Sequence, residues 1–400
     1  GTNGKTTTVR LIAHLLNETG LRVGMTTTDG VYVNHRLIDS GDCSGPKSAR
    51  NVLMHPDVDA AVLETARGGI LREGLGFDHC DVAVVTNIGE GDHLGLNFIA
   101  SVEDLAILKR VIVQNVAPTG AAVLNAADPM VAKMGDQCAG RVIFFAQNEH
   151  HPVITAHRAK SKKVIFFDGS YIVASKGSRE MYRFPVSEIP LTKNGVLGFQ
   201  VENAMASIGA AWALGLDAEK IASGLHSFES DANSVPGRFN QFQHKGATVI
   251  ADYGHNPDAM RALASAIQAM KPKSSHVVIS GAGDRRAQGA PPRRPQVGPG
   301  DGGVGVANVV HGLVRGGQCM VGCQPDAADR GRGAHDRDRQ AVGPAEPARA
   351  GDAGRRGRGH RGGRRSTAPG ARSARRRPEG VQRRAVRRQE DLAGRPHRAG

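Results

Sequence analysis

Two hydrophobic rhythms alternate along this chain. Val9, Leu11, Ile12, Leu15 and Leu16 recur at the spacing of one helical face until Gly20 ends the run, so the sequence predicts an amphipathic helix directly after residues 1–8. Short apolar runs follow, AAVLE (60–64), DVAVVTN (81–87), AAVLN (121–125) and RVIFF (141–145), with a helical pattern near 101–117 between them. Strands buried on both faces need runs of this kind, and their alternation with helices predicts a parallel sheet covered on both sides.

Residues 151–190 change character: KKVIFFDGSYIVAS reads as strands parted by turns, a small antiparallel subdomain appended to the sheet. Helical spacing returns at about 199–214 and 217–227. DANSVPGRFNQF (231–242) has the Pro and Gly content of a linker, and GATVIADYGHNPDAMRALASAIQAM followed by HVVISGAGDRR restarts a strand–helix–strand unit. The expected fold class is α/β: a central domain over 1–235, the start of a second, Rossmann-like domain over 236–286, and a tail over 287–400.

Composition separates that tail from the rest. Residues 1–286 hold 28 Lys and Arg against 28 Asp and Glu, so the net charge of +14 rests on residues 287–400, with 24 Arg and 10 acids. The tail contains no Lys, Ile, Phe, Tyr or Trp. Such a composition buries too little apolar surface to offset chain entropy, and a largely disordered segment is expected. Two origins fit it: GC-rich codons read out of frame, which give Arg, Gly, Ala and Pro, or an Arg/Gly segment that binds RNA or another polyanion by neutralising phosphates. No other part of the chain calls for nucleic acid.

Five cysteines at irregular spacing (Cys43, Cys80, Cys138, Cys319, Cys323) argue against a disulfide framework and for a reducing compartment. No apolar run approaches membrane-spanning length, so the body is expected to be soluble and cytoplasmic, without a membrane partner. A homo-oligomer is expected.

Chemistry enters at the first residues. In GTNGKTTT, Gly1 and Gly4 let backbone N–H groups curl around an anion, Lys5 reaches outer phosphates, and Thr6 offers a hydroxyl to a magnesium ion. Thr2, Asn3 and Thr7 complete this loop, which leads straight into the first helix and so sets phosphates at a helix N-terminus. The usual motif has a further glycine upstream and a preceding buried strand, so the sequence is expected to begin partway through a longer protein.

Glu64 ends the strand AAVLE, where open parallel sheets place ligand-facing groups, and its carboxylate can share the magnesium with Thr6. TNIGEGDHLG (86–95) gathers Asn87, Asp92 and His93 after a second strand, a candidate for another metal or substrate contact. Lys109, in VEDLAILKRVIV, reads from its apolar neighbours as a snorkelling lysine on a half-buried helix. Asp252, His255 and Asn256 stand where a strand gives way to a helix, and Asp284 and Arg285 follow a second Gly-rich strand exit.

This series of motifs resembles the Mur ligase superfamily, ATP-dependent enzymes that form amide bonds. TTTDGVY, GDCSGP and LETARGGILREGLGFDHCDVAVVTNIGEGDHLG are more similar to the branch that adds arginine to a poly-aspartate primer than to the cell-wall or folate ligases, and the likeness runs from Gly1 to Arg286. It implies that Lys5 and Thr6 bind ATP and Mg2+, that Glu64 shares the first ion, and that His93 helps to hold a second. Lys109 matches a lysine carboxylated in many of these ligases, which would make it an anionic ligand of that second ion, and Asn203 in GFQVENAMAS matches an asparagine near the adenine. Arg238, Asp252 and His255 match groups at the junction of the central and C-terminal domains. The activity implied is ligation of L-arginine to aspartate side chains through an acyl phosphate.

Overall fold

The computed structural model describes residues 1–89, 99–244 and 246–278, and, as backbone alone, 305–306 and 319–323. The chain divides into residues 1–330 and 331–400, and everything described below belongs to the first unit. Apart from the short strand segments 305–306 and 319–323, the tail lies outside the described residues, as do Asp92, His93, Asp284 and Arg285.

Helix α1 (Lys5–Asn17) opens the chain, followed by strands β1 (Val23–Thr27), β2 (Gly30–Val33) and β3 (Arg36–Ser40), helix α2 (Pro46–Leu53) and strand β4 (Ala60–Leu63). These strands form a sheet in the order β3-β2-β1-β4, parallel only at the β1/β4 pair. The β1–β2–β3 meander turns at Asn34 and His35, both at positive φ, and at Gly30. This sheet is mixed, where the short apolar runs by themselves predict parallel pairing.

Helix α3 (Arg67–Glu73), β5 (Cys80–Val85), α4 (Val102–Gln114), β6 (Val116–Asn125), α5 (Pro129–Lys133), β7 (Arg141–Ala146), α6 (Pro152–Ala159), β8 (Lys163–Phe167), β9 (Tyr171–Lys176) and β10 (Arg179–Pro185) come next. They build a six-stranded sheet in the order β10-β9-β8-β7-β6-β5. β5 to β8 run parallel, and β9 and β10 add antiparallel at the edge. The turn-separated strands expected in 151–190 therefore extend the main sheet. The segment before them is helix α6, whose start carries a signal of its own: Pro152 at the first turn and the His151 side chain accepting from the Val153 amide.

Alternation along these strands explains how both sheet faces are covered. Val123, Ile143, Phe145, Ile165 and Ala174 enter one core cluster with α1 and with α7 (Gly198–Ala213), while Ala122, Leu124, Phe144, Val164 and Val173 enter a second with α4, α5 and α6. α7 is buried along nearly its whole length and is accordingly rich in small residues. A Cβ on its Gly209 would stand 2.6 Å from Val123 Cγ1, so helix and sheet approach more closely there than any side chain allows.

After α8 (Ala218–Ser227) the chain enters a third sheet of β11 (Asn240–His244), β12 (Ala247–Asp252), β13 (Ser275–Val278), β14 (Gly305–Val306) and β15 (Cys319–Cys323), in the order β11-β12-β15-β13-β14, with α9 (Pro257–Ala269) between β12 and β13. Its small core joins Phe239, Ile250, Leu263 and Ile267 to Leu197 of the first part. Among the described residues no helix is long and apolar enough to cross a membrane, and Cys43, Cys80 and Cys138 are free thiols.

Candidate active site

The loop of residues 1–4 hangs on the end of β5. Thr2 donates its amide to the Asn87 carbonyl (2.8 Å), Asn3 donates its amide to Asn87 Oδ1 (2.8 Å), and Thr86 Oγ1 donates to the Asn3 carbonyl (2.6 Å). Gly4 takes φ +82°, the left-handed conformation that turns the chain into α1 and leaves the first amides of that helix facing outward. Lys5 folds back so that Nζ donates to the Thr2 carbonyl at 2.9 Å.

Thr6 is the hub of the site. Its hydroxyl donates to Glu64 Oε2 at 2.9 Å, lies 3.2 Å from Thr28 Oγ1, and accepts from Arg238 Nη2 at 3.3 Å. Glu64 is buried just past β4 and also accepts from the Thr28 amide, whereas its Oε1 is buried and has no hydrogen-bond partner among the described residues. A carboxylate oxygen left over beside a threonine hydroxyl is what a hard divalent cation requires, so the donor set fits magnesium. Arg238 lies 4.8 Å from the Tyr253 ring centre and also donates to Thr28 Oγ1.

Lys109 departs from the local reading of the sequence. It is 3% exposed rather than snorkelling, and its Nζ donates to Thr2 Oγ1 at 3.0 Å, the same oxygen that accepts from the Gly89 amide. α4 can present it there because a capping box fixes the start of the helix: Ser101 Oγ accepts from the Asp104 amide, and Asp104 Oδ2 accepts from the Ser101 amide.

Asn203 stands against the loop from α7. It donates to Gln200 Oε1 at 2.9 Å, and its Oδ1 would lie 2.2 Å from a Cβ placed on Gly4. From the third sheet, Asn256 caps α9 by accepting from the Ala259 amide and exchanges two side-chain hydrogen bonds with Asn3, at 2.8 and 3.3 Å. Asp252 accepts from the Phe239 and Gly254 amides; burial pushes its carboxyl above the usual range, against those amides and Arg238. His255 is exposed and its Nδ1 contacts the Tyr253 carbonyl at 2.9 Å.

Gly4, Lys5, Thr6, Glu64, Asn203 and Arg238 line a cavity of about 410 Å³, with Phe199, Ala259, Ala262 and Leu263 as apolar wall, and Thr7, Asp252 and His255 also reach it. Of the sequence candidates, then, the loop, Glu64, Asn203, Arg238 and Asp252 converge, and Lys109 meets the loop from behind through Thr2. Thr28 was not among the candidates, although it follows strand β1 and so carries the same strand-exit signal that marks Glu64. A second cavity of about 390 Å³ opens on the loops that precede α2 and α3, lined by Asp42, Ser44, Lys47, Arg67, Arg72 and Glu73.

Comparison with known proteins identifies the family. The Mur ligase middle domain model matches residues 1–211, and the Mur ligase glutamate ligase domain model matches residues 237–298. The chain is 43% identical over 286 residues to cyanophycin synthetase of Synechocystis sp. (strain ATCC 27184 / PCC 6803 / Kazusa), covering 72% of this chain and 32% of the relative. Against cyanophycin synthetase of Nostoc sp. (strain PCC 7120 / SAG 25.82 / UTEX 2576) the identity is 40%, with the same coverage. The chain thus spans about a third of the length of these relatives. In fold it is similar to the structure of a UDP-N-acetylmuramoyl-L-alanyl-D-glutamate–2,6-diaminopimelate ligase (TM-score 0.51, 22% identity, 72% of this chain and 56% of that one). It is also similar to a bifunctional folylpolyglutamate synthase/dihydrofolate synthase crystallised with Mn, AMPPNP and L-glutamate (TM-score 0.50, 19% identity, 70% and 67%).

Proposed function

The chain belongs to the Mur ligase family, and we propose that it joins the side-chain carboxylate of an aspartyl polymer, cyanophycin or a poly-aspartate primer, to the amine of L-arginine at the expense of ATP. The observation that carries this reading is the Thr6–Glu64 pair at the mouth of a glycine-turned loop, with a free carboxylate oxygen beside it. Such a pair suits a metal–nucleotide complex, and the likeness to cyanophycin synthetases supplies the acceptor and the amine.

A carboxylate is a poor electrophile, so the acceptor oxygen first takes the γ-phosphoryl group, ADP leaves, and the amine then displaces phosphate from the acyl phosphate. Lys5, released from the Thr2 carbonyl, would neutralise the outer phosphates, and the outward amides of the first turn of α1 would receive phosphate oxygens. Arg238 is in reach of Thr6, where it would meet charge building on the transferring group. Thr6 and Glu64 would hold magnesium, which supplies charge neutralisation on the phosphoryl group when bound. Lys109, if carboxylated as in related ligases, and His93 would serve a second ion. Asn203, with the apolar wall of Phe199 and Leu263, would hold the adenine. The second cavity, with Lys47, Arg67 and Arg72, suits an acceptor rich in carboxylates.

The reading is tested by ADP release from the full chain with each substrate left out in turn. ADP should appear only with both an aspartyl acceptor and arginine, and Lys5→Ala should stop it. Equal release without arginine, or with a γ-glutamyl acceptor in place of the aspartyl one, would overturn the assignment.

A further inference from the structure

At the end of the six-stranded sheet away from the nucleotide loop, cations stand in register. Lys163 on β8 pairs with Lys176 on β9, and Lys176 pairs with Arg179 on β10, so the three share one sheet face across three neighbouring strands. Like charges directly opposite one another destabilise a sheet, and nothing in the packing of the strands requires them here. Arg141, two residues before Ile143 on β7, belongs to the same face, as the membership of Ile143, Ile165 and Ala174 in one core cluster shows. Lys160 and Lys162 add two exposed cations in the turn before β8.

Lys163 Nζ lies 4.0 Å from the ring centre of Trp212, one residue before the end of α7, and Tyr182 meets that indole edge-on at 5.7 Å. The helix terminus and the indole account for one cation. They do not account for a row, and among the described residues no carboxylate pairs with Lys160, Lys162, Lys163, Lys176 or Arg179. Burial first, and then the neighbouring cations Arg141 and Lys176, bring the Lys163 amine down to about 8.

We infer that this face, formed by Arg141, Lys163, Lys176 and Arg179, binds an extended polycarboxylate chain at a distance from the nucleotide loop. Neighbouring strands lie about 4.8 Å apart, so the four strands span roughly 14 Å, the reach of about four residues of an extended acidic peptide. The indole of Trp212 is buried under the lysine rather than offered to bases, which favours carboxylates over nucleic acid. The inference rests on the proposed aspartyl acceptor, for which such a face would raise the local concentration of acceptor chain near the catalytic cavity.

The test is carbodiimide coupling, which joins a carboxylate to a lysine amine with loss of water, between the full chain and a synthetic oligo-aspartate of about ten residues, long enough to span the row when extended. Residues 287–400 contain no lysine and so offer no side-chain amine to the activated carboxylates of the peptide. Mass spectrometry should find Lys163 and Lys176 coupled ahead of the exposed Lys133 and Lys193. In Lys176→Ser/Arg179→Ser, coupling at Lys163 should fall roughly ten-fold, as expected when two contacts of a charge row are removed. Even coupling across all exposed lysines, or unchanged coupling at Lys163 in the double variant, would overturn the inference. Displacement of the peptide by an RNA of equal charge but not by oligo-glutamate would overturn it in favour of a nucleic-acid face. Coupling needs no turnover, so ADP release without arginine would remove the ligase reading and leave this face standing, while arginine-dependent release with even coupling would remove the face alone.

Discussion

Gly4 and Asn203 approach so closely that no side chain fits between them: a Cβ on Gly4 would lie 2.2 Å from Asn203 Oδ1, and the glycine holds φ +82°. Gly4→Ala is therefore doubly penalised. The left-handed backbone costs an alanine about 1–2 kcal/mol, and the clash displaces Asn203 from the cavity wall. ATP titration should show affinity lower by about five- to thirty-fold, the factor that this energy corresponds to. Gly4→Ala/Asn203→Ala should recover the part due to the clash and keep the part due to the backbone.

Glu64→Gln keeps an acceptor for the Thr6 hydroxyl and removes the charge. Nucleotide affinity measured with and without magnesium should separate the two roles. The gain that magnesium gives the native chain is expected to shrink by about ten- to a hundred-fold in the variant, the usual cost of disturbing a metal site. Affinity without the metal should change little.

Lys163 carries a pH signature. Its amine titrates near 8 in the folded chain and near 10.5 unfolded, so the unfolded chain binds more protons between those values and folding stability from this residue rises as pH rises through the window. Urea midpoints for the native chain and Lys163→Met, compared at pH 7 and pH 10, should converge or diverge in that sense: the native chain gains on the variant toward pH 10. A constant difference would mean that the amine is not depressed.

Ser101→Ala removes the reciprocal cap of α4. A loss of about 1 kcal/mol in denaturant unfolding is expected, as for other N-cap serines. Because α4 also carries Lys109, its hydrogen bond to Thr2 should loosen in the variant, visible as faster amide exchange at Gly89, whose N–H shares the Thr2 oxygen.

The parts of this site that sit at element ends could be read from the sequence, because a strand exit or a helix start is a local event. Glu64 after AAVLE, Asn256 before Pro257 and the turn at Gly4 all belong to that kind. Lys109 does not. Its neighbours at helical spacing predict a charged head in water, whereas the folded chain buries it and brings its amine to Thr2, 107 residues away; a role at the site is an expectation from the family resemblance, not from the periodicity. The β1–β3 meander escaped for a different reason: Thr, Gly and Asp in TTTDG fit a strand end or a loop equally well, and the pairing of β1 with β2 and β4 decides between them. Burial of the Pro152–Ala159 helix against β7 and β8 similarly outweighs the β-rich run that follows it.

Asn3 and Asn256, which exchange hydrogen bonds across 253 residues, set the order in which this molecule can be completed. The loop end of that pair is synthesised first and has local neighbours only in α1, while its amide partner waits for nearly the whole described chain to follow. Closing so long a span is slow and entropically unfavourable until intervening sheets have formed. The glycine-turned loop should therefore be translated long before its partner on α9 and yet be among the last segments to reach its final shape, so that ATP added during refolding is expected to stabilise the end of the process and leave its beginning unchanged.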